Sequence, residues 1–283
     1  LYNIGIDLGG TKVKFGLFKS NVSIEEIEIP TPQNHVSQTF SETIANLVED
    51  KAINKIGISS AGLIDVKHKK ILKASNIPQV PKDIALIMEN RFSVEAKIEN
   101  DANCAGLAET MNGAAKGFDK VVCITIGTGI GGSFIINQSI YRGANYGAGE
   151  FGHMTIEHNG LPCACGQKGC WEVYASGRSI ERRLNEIKLL NKVDSKQVLN
   201  ENNDSSELSI LKQDFLDYLA RGLCIIQQTL DPDIIVLGGG VVDSSNYWWD
   251  DLNVLVQKYT NKPIYLKKAE LGNRAGLVGS TLI

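Results

Sequence analysis

Short apolar runs and helical spacings alternate along this chain. Residues 2–8 (YNIGIDL) have the continuous apolar character of a buried strand and stop at Gly9-Gly10. KFGLFK (14–19) and VSIEEIEI (22–29) predict two more strands about a tight Ser20-Asn21 turn, completing a three-stranded meander. Phe40, Ile44, Leu47 and Val48 recur at helical spacing and predict a helix over 37–49. A strand over 55–62 (KIGISSAG), a short helix over 83–92, a strand over 94–100 (VEAKIEN) and a helix over 102–111 follow.

The pattern then restarts. VVCITIG (121–127) and GGSFIINQSI (131–140) predict a second strand pair, and residues 172–230 read as mostly helical. The polar stretch 193–207 is expected as a loop or broken helix. DPDIIVLGGG (231–240) reads as a strand running into a glycine turn, 248–260 as an amphipathic helix, PIYLKKAEL (263–271) as a last strand and AGLVGSTLI (275–283) as a terminal helix. Two α/β halves with similar openings suggest a duplication, with a ligand cleft expected between them. The expected boundary lies at Asn112–Asp119. It gives a small domain over 1–115, on which a helix at about 273–283 packs, and a larger domain over 116–272.

Composition narrows the function classes. The chain has 283 residues, 43% hydrophobic, enough for two cores. A net charge of −3 argues against a nucleic-acid binder. No apolar run reaches membrane-spanning length, and LYNIGIDLGG lacks the basic and apolar regions of a signal peptide, so a cytoplasmic protein is expected. Of six cysteines, Cys104, Cys123 and Cys224 stand isolated in apolar surroundings, as core residues do. Cys163, Cys165 and Cys170 cluster in a loop, the pattern of a metal site in a reducing compartment.

Several motifs carry chemistry. In the turn after the first strand, Asp7, Gly9, Gly10, Thr11 and Lys12 combine close backbone approach, a hydroxyl, a cation and a Mg²⁺-holding acid. This is the makeup of a triphosphate loop. Gly127, Thr128, Gly129, Gly131 and Gly132 occupy the matching place in the second half. That run also spells the dinucleotide fingerprint G-x-G-x-x-G, with Glu150 about 20 residues on. The fingerprint must open a helix, whereas SFIINQSIY (133–141) alternates as a strand, which favours a β-hairpin phosphate loop. Gly238, Gly239 and Gly240 end a third strand, as either a strained turn or a place of close ligand approach.

His153, Cys163, Cys165 and Cys170 make a closed three-thiolate, one-imidazole set that selects structural Zn²⁺, with His158 as the competing histidine. Asp101, between a strand and a helix, suits either a helix cap or the carboxylate that takes a proton during phosphoryl transfer.

The pieces DLGGTK (7–12), ASNIP (74–78), ENDANCAGLAE (99–109), IGTGIGG (126–132), GAGEFGHM (147–154), CACGQKGCWE (163–172) and DPDIIVLGGG (231–240) resemble the ROK family of sugar kinases and repressors. The resemblance runs almost end to end. It implies a two-domain α/β fold of the actin-like ATPase (ribonuclease H-like) type, ATP with Mg²⁺ in the interdomain cleft, and transfer to the 6-hydroxyl of a hexose or derivative. Asp101 falls on the catalytic base, and Asn76, Asn100, Glu150, His153 and Glu172 on sugar-contacting positions. The glycines 238–240 fall against the adenosine, and His153 doubles as zinc ligand. Repressor members carry a helix-turn-helix domain before the first strand; here that strand begins at residue 2, which favours an enzyme over a DNA-binding protein, and the intact catalytic-looking residues argue against a non-catalytic sugar sensor. After Asn76-Ile77-Pro78, many glucose-phosphorylating relatives have Gly-Trp where this chain has Gln79-Val80. Glucose itself is therefore in question beside N-acetylmannosamine, N-acetylglucosamine, fructose, allose and β-glucosides. Relatives often form homodimers, and Trp248-Trp249 are read as packing residues before interface residues.

Overall fold

The computed structural model describes residues 1–74, 76–188, 198–199 and 206–283. Residues 193–197 and 200–205 of the predicted polar loop lie outside the described residues. The chain folds into two compact units. Unit 1 comprises Leu1–Asn112, Gln138–Ala148 and Asn273–Ile283; unit 2 comprises Gly113–Asn137 and Gly149–Gly272.

Unit 1 opens with β1 (Tyr2–Leu8), β2 (Lys12–Lys19) and β3 (Val22–Pro30). Ser20 and Asn21 have φ of 50° and 66°, the paired left-handed residues of a hairpin turn that matches strand twist. Helix α1 (Val36–Val48) lays Val36, Phe40, Ile44, Leu47 and Val48 into the core, and the Phe40 ring meets Phe15 edge-on at 5.1 Å. Then come β4 (Ile53–Ser60), β5 (Leu63–Asp65), β6 (Lys70–Lys73), α2 (Ile84–Phe92), β7 (Glu95–Asn100) and α3 (Asp101–Asn112). The β5–β6 hairpin was not expected, because three- and four-residue strands are too short to show a period. The main sheet runs β3-β2-β1-β4-β7, with β1, β4 and β7 parallel. Their carboxyl ends share one edge, where the register aligns Asp7 with Ser59 and Ser59 with Glu99.

Unit 2 repeats that plan. Strands β8 (Lys120–Ile126) and β9 (Ile130–Ile136) pair antiparallel, as β1 and β2 do. The expected single strand over 131–140 is broken: Asn137 and Gln138 have φ of 50° and 61°, a second left-handed turn, before the two-residue β10 (Ser139–Ile140). Helices α4 (Glu172–Ala175), α5 (Gly177–Glu186) and α6 (Ser206–Leu230) follow, then β11 (Ile234–Gly238), α7 (Trp249–Tyr259) and β12 (Leu266–Lys268). The order β9-β8-β11-β12 is parallel across β8–β11–β12, the counterpart of β2-β1-β4-β7. Only Ile235–Leu237 offers β12 a partner, which shortens the expected strand 263–271 to three residues. Trp248 is buried against Phe215, and its indole N–H donates to Ser244 Oγ at 3.1 Å, so it serves the core.

The chain then returns to unit 1 with α8 (Ala275–Ser280), shorter than the terminal helix expected over 275–283. It lies so close to the sheet that a Cβ on Gly57 would stand 1.6 Å from the Ser280 carbonyl oxygen. Among the described residues no helix is long and apolar enough to cross a membrane.

Candidate active site and metal centre

The parallel strand ends of unit 1 gather the first set of residues. A Gly9 N–H bond to the Lys12 carbonyl (3.1 Å) closes the turn between β1 and β2, and Thr31 Oγ1 donates to the Gly9 carbonyl at 2.8 Å. A Cβ on Gly10 would stand 3.0 Å from the Asn76 carbonyl oxygen, so glycine there lets the Asn76 loop close on the turn. Burial raises the Asp7 carboxyl above its ordinary value, opposed by the Ser59 hydroxyl that donates to it at 2.9 Å and by the Lys14 charge. Lys12 pairs at 2.5 Å with Glu28 on the neighbouring strand, an exposed contact of small energetic weight.

At the end of β7 the two sequence readings of Asp101 separate. Asn100 Oδ1 accepts the Asn103 backbone N–H at 3.1 Å, the bond of a helix N-cap, while Asn100 Nδ2 donates to the Gly62 carbonyl at 3.0 Å. Asn100 is therefore the cap. Asp101 occupies the first position of α3, exposed, with Oδ1 accepting the Ala102 N–H at 2.9 Å. Strands about 4.8 Å apart put the ends of β1 and β7, with β4 between them, roughly 10 Å from one another.

Glu99 was quoted in the sequence only as part of a motif. It is a buried carboxylate: Oε1 accepts from the Asn100 N–H (2.8 Å) and Asn103 Nδ2 (2.9 Å), and Oε2 from Arg142 Nε (2.6 Å). Neither Arg142 nor Ser59 was singled out, because their partners lie 43 and 52 residues away and no local pattern marks them.

Unit 2 holds the cysteine cluster. Ligand atoms of His153, Cys163, Cys165 and Cys170 all lie within 4.8 Å of one another. Cys163 Sγ is 3.7 Å from His153 Nδ1, and Cys165 Sγ is 3.6 Å from Cys170 Sγ. Zn–S bonds of about 2.3 Å in a tetrahedron require sulfur–sulfur edges of about 3.8 Å, so the donors are spaced for a single zinc ion. Burial pushes the Cys163 thiol up to about 12 and raises Cys170, so the metal-free cluster holds protons that zinc must displace. His158 is exposed and outside this group, and His153 is the histidine whose ring stands with the three sulfurs. The far nitrogen of His153, Nε2, faces Glu150 Oε2 at 3.8 Å.

The knuckle is joined to the second glycine turn through Glu172. Trp171 is fully buried, donates Nε1–H to the Tyr218 carbonyl at 2.8 Å, and sits where a Cβ on Gly222 would be 2.0 Å away. This anchor fixes the next residue. Glu172 Oε1 takes the Cys163 contact at 3.3 Å, and Oε2 stands 2.6 Å from where a Cβ on Gly129 would be. The turn itself is closed by a Gly127 N–H bond to the Gly129 carbonyl (3.0 Å). Gly177 N–H reaches the Gly127 carbonyl (2.8 Å) and Val241 N–H the Ile126 carbonyl (3.1 Å), which draws α5 and the Gly238–Gly240 turn to the same place. Gly239 has φ +92° and abuts Ile126, while side chains on Gly127 or Gly240 would meet open space.

Two pockets border Thr128. One of about 270 Å³ is lined by Gly127, Gly177, Leu199, Gly240, Val241 and Ser244 among others, and another of about 290 Å³ by Glu172, Val173, Arg178 and the knuckle residues Pro162 and Ala164 among others. After the turn the chain enters β9, a strand, so no helix receives a pyrophosphate and the dinucleotide reading falls.

Paired units with one strand order, each with a glycine turn after its leading strand, define the two-domain actin-like ATPase (ribonuclease H-like) architecture. The chain belongs to the ROK family, whose model it matches over residues 3–283. It is 30% identical to a glucokinase of Streptomyces coelicolor over 98% of this chain and 95% of that one. It is 34% identical to the xylose repressor of Bacillus subtilis over 81% of this chain and 60% of the repressor. Among solved structures it resembles a ROK glucokinase from Streptomyces griseus in complex with glucose and AMPPNP, with TM-score 0.81 and 28% identity over 99% and 98% of the two chains.

Proposed function

We propose that the protein is an ATP-dependent sugar kinase that phosphorylates the 6-hydroxyl of a hexose or hexose derivative. The capping bond of Asn100 carries this reading: with α3 capped by its neighbour, the exposed Asp101 carboxylate stands at the strand edge without being the residue that caps the helix. Asp101 takes the proton from the attacking hydroxyl as oxygen bonds to the γ-phosphorus and ADP departs.

Asn76, Asn100, Glu150, His153 and Glu172 orient the sugar, and the turns held by Gly9 and Gly127 present the backbone N–H groups of Gly10–Lys12 and Thr128–Gly129 to the phosphates. The smaller pocket beside Gly240 takes the nucleoside. Asp7 suits a Mg²⁺ ion held through water, the ion supplying charge neutralisation on the phosphates. His153, Cys163, Cys165 and Cys170 suit a structural zinc, which holds Glu172 and His153 for the sugar. Three thiolates kept reduced suit a cytoplasmic enzyme.

The relatives also include a repressor, so a sugar sensor without turnover is the second reading. A coupled ADP-release assay across glucose, N-acetylmannosamine, N-acetylglucosamine, fructose, allose and β-glucosides decides between them. Sugar-dependent ADP with the 6-phosphate as product is the expected result. Sugar binding by calorimetry with no ADP from any sugar overturns the kinase.

A further inference from the structure

The ion pair between the buried Glu99 and the half-buried Arg142 has no part in the scheme above. The Glu99 side chain is 2% exposed, and an ionised carboxylate that deep needs partners for both oxygens. It has three N–H donors, and they lead in two directions. Asn100 N–H and Asn103 Nδ2 belong to the junction that carries Asp101; Arg142 belongs to the 138–148 segment of unit 1. That segment is itself a closed loop: Ala148 N–H bonds to the Arg142 carbonyl at 3.1 Å, and Gly143 has φ +71° with Ala148 against it. Beyond Ala148 the chain runs directly to Glu150 and His153.

We infer that Arg142 is a positioning residue: through the buried Glu99 carboxylate it sets the place of Asp101 at the head of α3 and ties the 142–148 loop to it. The inference rests on the kinase reading for its effect on turnover, but the bonds it concerns can be read without turnover. Arg142 supplies a cation to Glu99 Oε2. Without it, Oε2 loses its cation and the carboxylate turns, which loosens the Oε1 bonds to Asn100 and Asn103. A displacement of the base by about 1 Å is worth up to roughly 100-fold in rate.

The test compares wild type, Arg142→Met, Arg142→Lys and the double variant Glu99→Gln/Arg142→Met, which removes the buried carboxylate charge along with its half-buried partner and so leaves no unpaired charge inside. Expected are a kcat lowered about 10- to 100-fold in Arg142→Met and in the double variant. The KM for ATP stays within twofold of wild type, and Arg142→Lys recovers part of kcat. Amide exchange at Asn100 and Asn103 accelerates in Arg142→Met, while the α1 amides keep their rates. Wild-type kcat in the double variant, or a kcat loss matched by the unfolded fraction in thermal melts, overturns the inference. Should wild type phosphorylate no sugar, the kinase reading fails by itself; unchanged exchange at Asn100 and Asn103 then rejects the positioning role, and accelerated exchange sustains it.

Discussion

Glu172 Oε1 lies 3.3 Å from the sulfur of Cys163, close enough to accept the thiol proton, while Oε2 of the same carboxylate faces Gly129. The contact depends on the state of the cluster. A thiol donates to the carboxylate; a zinc-bound thiolate cannot, and the metal's charge offsets its repulsion. Removing zinc should therefore turn Glu172 towards Cys163 and away from substrate. Chelation, or Cys165→Ser, is expected to raise the sugar KM at least tenfold while the KM for ATP changes little. Zinc content by atomic absorption and sugar KM by coupled assay check this. Because Cys163 and Cys170 are raised by burial, metal uptake releases protons, and zinc affinity should be higher at pH 8 than at pH 6.

Gly129→Ala tests the other side of that carboxylate. The added Cβ meets the end of a flexible side chain, so the fold adjusts while Glu172 is displaced by several tenths of an ångström. Thermal melting is expected to stay near wild type while kcat/KM for sugar drops on the order of 100-fold, as misplacement of a positioned group predicts. A melt lowered in step with activity would assign the effect to folding instead.

Asp101→Asn should leave α3 intact, since the capping bond comes from Asn100. Removing a general base costs roughly 10²–10⁴ in rate, so kcat should fall by that order with sugar and ATP affinities retained. Single-turnover kinetics and calorimetry measure both halves. Near-normal turnover would remove Asp101 from the base role.

Asp7→Asn is expected to stabilise the unliganded protein at neutral pH. Burial raises the folded-state pKa of Asp7, so its contribution to stability is full at pH below the ordinary carboxylate range and is lost as pH rises through the raised value. Asparagine keeps an acceptor for Ser59 and carries no charge. The gain in Tm should be largest near pH 7 and vanish under acid conditions below the ordinary value of 3.8, whereas catalysis requiring Mg²⁺ should be lost. A lower Tm for the variant at pH 7 would reject this.

The sequence made much of this readable where the signal is local. The doubled strand–turn–strand opening, both glycine turns and the cysteine spacing are short-range patterns, and each has its structural counterpart. Where the outcome depended on distant partners, the pattern was silent. Whether Asn100 or Asp101 caps α3 is decided by a bond to Asn103 that either neighbour could have made. Arg142 looks like any surface arginine until its nitrogen meets Glu99. His153 and His158 differ only in where the chain carries them. The strand expected over 131–140 alternated well enough to read as one element, but two left-handed residues, Asn137 and Gln138, turned it, much as Ser20 and Asn21 do in unit 1.

Residues 275–280 cover the sheet at Gly57 although the whole of unit 2 precedes them in synthesis. The first 112 residues thus leave the ribosome with their sheet bare on the side α8 will occupy, and must wait for a partner made more than 160 residues later. Early in translation that open face is the segment most in need of a chaperone, and shortening the chain near residue 273 should trap unit 1 in that unfinished state.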